Sequence, residues 1–241
     1  MLVFIIAVFY MSYLIKIFIS IYLFCHPIYS YSNNESKYTI SHLIQSAELT
    51  LKRLNKNSDL KNFKDYLKNC RAILIFPEIY EGGFFFGAKG GNGLLLIRKS
   101  KNSFSGPFFY SIGGLSVGLQ FGAKSGKVVM TVMTNRGLKS VLKERIKFGV
   151  DVDAVVVSDG VGYSAESTLR LADIYSFSDN AGLFLGSSVE GSYLQPRNDL
   201  NRVLYKQDFD SEEILNSKEP RSEIKNILKI IENITDEKSE K

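Results

Sequence analysis

Lys52, Arg53 and Lys56 crowd the end of one helical pattern, and Lys61 and Lys64 lie in the next. Cations this close together can meet lipid phosphates. Each one near an anionic surface contributes about 1 kcal/mol, so several form a usable patch. The same residues also suit the solvated face of a helix that only covers a sheet, and both readings stand. Other candidate groups carry less. Gly122-x3-Gly126-Lys127-Val128 has the wrong spacing for a phosphate-binding P-loop and lacks its hydroxyl. Gly87-x2-Gly90-x2-Gly93 leads into a strand, not a helix. Asp151 and Asp153 alternate with Val150 and Val152, which would place both carboxylates on one strand face. Two cysteines, Cys25 and Cys70, and two histidines, His26 and His42, are too few for a histidine-based metal site or a Ser-His-Asp triad. No set of residues supplies nucleophile, base and oxyanion donors together. The chain therefore reads as non-catalytic, with no cofactor and no metal.

The basic residues need helices to aim them. Ile40, Leu43, Ile44, Ala47, Leu51 and Leu54 recur every three or four positions, one face of an α-helix with Ser41 as a candidate cap. A break follows at residues 55–59. Leu60, Phe63 and Leu67 then form a second short stripe, with Ser58 as a candidate cap and Lys61, Lys64 and Lys68 beside it. At the far end Ile224, Ile227, Leu228, Ile231 and Ile234 make another amphipathic stripe.

Between these helices the pattern is β. Short apolar and aromatic runs alternate with glycine clusters over residues 73–132. Phe86-Gly87-Ala88-Lys89 recurs as Phe121-Gly122-Ala123-Lys124, and each copy leads through glycine to an apolar run. Two similar hairpins are the simplest reading. A helix is expected over residues 134–143, strands over 146–157, 173–177 and 181–191, and a helix over 198–205. The fold class is α+β: an antiparallel, strongly bent or barrel-like β-sheet covered by N- and C-terminal helices. The 241 residues, 45% hydrophobic and 23% charged, suffice for one globular domain. A formal charge of +5 suits an anionic surface. No zinc-finger, RNP-type or arginine-rich motif accompanies it, so nucleic acid is not expected as a partner.

Several motifs occur in order: Ile75-Phe76-Pro77, the glycines from Gly82 to Gly93, Ser105-Gly106-Pro107, and Gly113-Gly114-Leu115-Ser116-Val117-Gly118-Leu119-Gln120-Phe121-Gly122. Together they resemble the SYLF family, known from eukaryotic endocytic and actin-associated proteins and from exported bacterial ones. Phe104 stands where the family usually has Trp, and Asp179-Asn180 where relatives often place a basic residue. The resemblance implies a lipid-binding domain over residues 33–236, recognising anionic phospholipid, phosphoinositide-like head groups through its basic N-terminal part. Lys52, Arg53, Lys56, Lys61 and Lys64 are the positions here that share that basic character. The alternative is a structural or protein-interaction module of the cell envelope with no lipid ligand.

Residues 1–24 are apolar apart from Ser12, Lys16 and Ser20. Read from Met11, they give a charged start, a short apolar core and a polar exit with Ser30 and Ser32 two apart, the order of a signal peptide. The expectation is a signal over residues 1–32, with Met11 as a possible true start, and a periplasmic or secreted bacterial product. An uncleaved membrane anchor is the alternative. Cys25 follows Phe24, whereas a lipidated cysteine normally follows a small residue. Residues 237–241 read as a charged tail.

Overall fold

Pro77 interrupts a run of apolar residues that otherwise reads as the centre of a sheet, and the sheet is built around that interruption. A computed structural model describes residues 32–60, 62–83, 86–101, 103–117, 122–157, 172–180, 192–207, 211–216 and 221–236. Strand β1 (Ala72–Gly83) is central, flanked by β2 (Phe86–Ser100) and β4 (Gly122–Val132). Proline has no N–H for a ladder bond, so inside a sheet it needs a bulge. The register shifts at this place on both sides, between Ile75 and Tyr80 against β2 and between Phe76 and Ile79 against β4. β1 carries one residue more than either neighbour there.

Among the described residues the sheet has eight strands, in the order β5-β8-β3-β2-β1-β4-β7-β6. The remaining strands are β3 (Ser103–Val117), β5 (Ile146–Lys147), β6 (Ala154–Val157), β7 (Ile174–Ser178) and β8 (Tyr193–Pro196). All pairs are antiparallel except β6 with β7. The sheet curls strongly into a half-barrel, with helices at both ends of the described chain. The expected α+β class is therefore the observed one.

The sheet lies in the compact unit Lys37–Lys241. Helix α1 (Ser32–Asn55) buries Ile40, Leu43, Ile44, Ala47, Leu51 and Leu54, the stripe read from the sequence. They pack with α2 (Phe63–Asn69) and the C-terminal helix α6 (Lys225–Asp236) against Ile73, Ile75, Leu94, Leu96 and Phe109. A fully buried leucine or isoleucine contributes about 1.5–3 kcal/mol over its exposed state. The opposite face of β1 buries Ala72, Leu74 and Phe76 with Leu95, Phe108, Tyr110 and Met130. There α3 (Asn135–Val141) and α5 (Ser211–Asn216) help close the layer through Val141 and Ile214. Burial on both faces explains why residues 72–76 are apolar without alternation.

Four local expectations need correction. Helix α1 starts well before Ser41, so Ser41 is interior and caps nothing. Ser58 bonds Asp59, and α2 begins after Asn62 without a side-chain cap. Neither copy of the glycine motif makes a hairpin with the apolar run after it: the first shares β2 with that run, and the second leads straight along β4, which pairs with β1. Residues 146–157 are not one strand but β5 and β6, joined by a turn that contains Asp151. The expected helix near 134–143 is α3, where the Thr134 hydroxyl accepts from the Gly137 N–H at 2.9 Å. The signal segment up to residue 31, with Met11 and Cys25, lies outside the described residues, as do residues 181–191 and the tail at 237–241. Among the described residues no helix is long and apolar enough to cross a membrane.

Candidate functional site

The C-terminal turn of α1 ends in Lys52 and Arg53, and Lys56 follows just past the helix. All three are exposed, because the buried stripe ending in Leu51 and Leu54 turns them outward. Among the described residues no ion pair holds Lys52 or Lys56. Arg53 is different. Its Nε lies 2.6 Å from Asp179 Oδ2, with the arginine side chain 65% and the aspartate 10% exposed. The other Asp179 oxygen accepts from the Lys127 backbone N–H at 2.8 Å. Asn180 Nδ2 donates to the Ser125 carbonyl at 2.9 Å. The Asp179-Asn180 pair thus ties α1 to the neighbouring ends of β4 and β7. Lys64 is half-buried on α2, away from the run at 52–56 in sequence. Lys61 lies outside the described residues.

The same helix exposes bulky apolar groups. Leu49 is 62% and Tyr38 72% exposed, and Tyr38 stacks on His42 with ring centroids 6.2 Å apart. Tyr80, 58% exposed, rises from β1. Amphipathic surfaces that lie on bilayers combine cations with such side chains.

The repeated motif has a structural meaning that the sequence pattern alone does not show. Gly87 and Gly122 both stand opposite Gly83, and Ala88 and Ala123 both stand opposite Gly82. Lys89 and Lys124 therefore flank Glu81 from its two neighbouring strands. Glu81 is buried, so it needs opposite charge nearby. Burial pushes the Lys89 ammonium below its usual range, and Glu81 partly opposes that shift. These two lysines were absent from the basic set read at the outset. Their signal was the repeat itself, once its copies are laid on either side of one strand.

The carboxylate pair dissolves. Arg136 reaches Asp153 at 2.9 Å and the buried Asp173 at 2.7 Å. Asp151 accepts from the Lys147 N–H at 2.7 Å. Neither forms an acid–base pair on a strand face. Burial pushes the Cys70 thiol up to about 11, which removes its nucleophilic thiolate at neutral pH. No group of three or more His, Cys, Asp or Glu among the described residues is placed to hold a metal.

The comparisons with known proteins place this architecture. Residues 113–234, half of the chain, match the family model Ysc84, described as "Las17-binding protein actin regulator". The chain belongs to this family, the SYLF family. It is similar to the human SH3 domain-containing YSC84-like protein 1, 26% identical over 214 residues, covering 88% of this chain and 61% of the relative. An SH3 domain-containing protein of Schizosaccharomyces pombe is 29% identical over 155 residues, 62% of this chain and 35% of its own length. LAS seventeen-binding protein 3 of Saccharomyces cerevisiae is 29% identical over 147 residues, 58% of this chain and 31% of its own. The chain thus spans from about a third to about three-fifths of the length of the curated relatives it matches. The names attached to the SYLF relatives speak of binding and regulation, not of a reaction.

Proposed function

We propose that this SYLF domain is a non-catalytic lipid-binding module that docks on an anionic membrane through α1 and its flank. The observation that carries the reading is the joint exposure of Tyr38, Leu49 and Lys52 along α1 and of Lys56 just past its end. Cations attract the surface, and the apolar groups enter the head-group boundary. Arg53 serves twice, clamping the helix through Asp179 while most of its side chain stays in solvent. Lys64 on α2, with Lys61 near it in sequence, belongs to the same proposal as support. Phosphoinositide-like head groups are the finer form of this proposal. Export through the apolar N-terminal segment, as a bacterial periplasmic or secreted protein, belongs to the same reading, with retention as an anchor the alternative. N-terminal sequencing of the mature product distinguishes the two.

The second reading is a protein-binding module. It is favoured by the family description, which names binding to Las17. Flotation with vesicles of varied head group separates the two. The lipid reading expects recovery with acidic vesicles and not with neutral ones. Recovery should fall as salt rises, because exposed charges are screened over about 10 Å at 0.1 M ionic strength. Salt-independent recovery, or recovery with neutral vesicles alone, would contradict an electrostatic dock.

A further inference from the structure

Gly113 leaves room on the sheet for the tip of a ring. A Cβ there would stand 2.6 Å from both Cζ and Oη of Tyr193, its register partner on β8, so that ring crosses the bare backbone. The Arg145 guanidinium stacks over the same ring, 4.2 Å from its centroid. Arg145 immediately precedes β5, the outermost strand on this side, and Lys147 ends it. Lys147 stands opposite Tyr193 in the register, and residues two apart share a strand face. By the same period Leu115, 85% exposed, shares the face of Gly113 on β3. Arg145, Lys147, Leu115, Tyr193 and Asp151 line an open cleft of about 520 Å³ at this edge of the sheet.

Both cations are exposed, and among the described residues no hydrogen bond or ion pair holds either side chain. Stacking occupies one face of the guanidinium and leaves its N–H edge free. That edge fits a carboxylate through two parallel hydrogen bonds. Asp151 decides which anion suits the cleft. Its carboxylate accepts from the Lys147 backbone N–H at 2.7 Å and so stays in the wall. Two cations and one carboxylate leave a single positive charge. One carboxylate neutralises it, and a dianionic phosphate would exceed it. Leu115 and the Tyr193 ring supply apolar surface beside the charge. A carboxylate next to an apolar side chain is the chemistry of an acidic peptide segment, and an open cleft at a sheet edge admits a chain that continues in both directions.

We propose that this cleft docks an acidic segment of a partner protein, with one Glu or Asp carboxylate gripped by Arg145 beside Lys147 and an adjoining apolar side chain laid on Leu115. The α1 dock uses none of these groups, so neither surface depends on the other. The test titrates the protein with a capped peptide holding one Glu between two Leu, and with its Gln and phosphoserine counterparts, following the Arg145 and Lys147 amide shifts. The parent is expected to bind the Glu peptide about ten-fold more tightly than the Gln peptide, the scale of one charge-assisted hydrogen bond, and more tightly than the phosphoserine peptide. Arg145→Gln should keep the parent's circular dichroism and Tm and lose the preference for Glu. Arg145→Lys keeps the charge without the fork and should restore only part of it. Asp151→Asn keeps an oxygen for the Lys147 N–H and should raise phosphoserine binding at least to the Glu level. Flotation of Arg145→Gln with acidic vesicles should match the parent. Equal or undetectable binding of the Glu and Gln peptides overturns the proposal, as does a preference that survives in Arg145→Gln. Tighter phosphoserine binding by the parent would make this a phosphate site and overturn the carboxylate assignment. Loss of flotation in Arg145→Gln would give Arg145 to the membrane face and overturn the peptide dock while leaving a membrane reading in place.

Discussion

Gly93→Ala is expected to destabilise the domain by about 3 kcal/mol, the upper range for overpacking a filled core. For a domain of this size that lowers Tm by roughly 6–12 °C. A Cβ at Gly93 would stand 2.4 Å from the Ile75 carbonyl oxygen and 2.5 Å from the Phe76 ring. Neither neighbour can yield cheaply. The carbonyl belongs to the central strand at its bulge, and Phe76 is fully buried. Gly90, in the same glycine cluster, is the internal control, since its Cβ would enter open space. Gly90→Ala should leave Tm unchanged or raise it slightly, because alanine restricts the unfolded chain. Thermal unfolding of the two variants checks this directly. Equal losses, or a Gly93→Ala protein as stable as the parent, would contradict the tight packing at the bulge.

Asn201→Leu should cost about 2 kcal/mol, within the range for stranding a buried backbone donor. Asn201 lies on helix α4 (Asn198–Tyr205) and is 2% exposed. β8 pairs with β3 only from Tyr110 to Gly113, and it ends at Pro196. At Phe109 the ladder is reduced to one bond, from the Arg197 N–H to the Phe109 carbonyl at 2.8 Å. The Asn201 side chain completes it: the Phe109 N–H donates to Oδ1 at 2.7 Å, and Nδ2 also donates to the Phe109 carbonyl at 3.2 Å. Leucine keeps the approximate volume and removes both bonds. The Phe109 amide should also lose its protection from hydrogen exchange. The same substitution at exposed Asn198 should change stability by less than about 0.5 kcal/mol. An Asn201→Leu protein that keeps a protected Phe109 amide would contradict the assigned role.

The α+β class and the stripe of α1 were legible because both rest on local period. Leu43, Ala47, Leu51 and Leu54 announce a helix face whatever they pack against. The glycine motifs read as turns and bulges, yet Gly87, Gly90, Gly91, Gly93, Gly113 and Gly114 lie inside β2 and β3, in unbroken register with each other, and the bulge falls at Pro77. What stayed hidden depends on contacts distant in sequence. The two copies of the glycine motif look like two hairpins, but each continues in one strand into the apolar run after it, and both strands pair with β1. Local pattern cannot choose between a neighbour strand and an earlier one. Arg53 read as a free member of a cationic patch because nothing near it in sequence is acidic. Asp179, its partner, arrives only through β7 and the sheet edge. Asp151 and Asp153 had the spacing of a strand face, yet the chain turns there and gives each its own partner.

The dock on α1 is tested most directly by reversing charge where no structural contact is lost. Arg53 must stay, since changing it would also break the clamp to Asp179. The double variant Lys52→Glu, Lys56→Glu leaves that clamp and the buried stripe intact. Circular dichroism and Tm of this variant should match the parent. Flotation with acidic vesicles at low salt should fall to the level seen with neutral vesicles. If the folded double variant still floats with acidic vesicles as the parent does, the membrane face is not this helix.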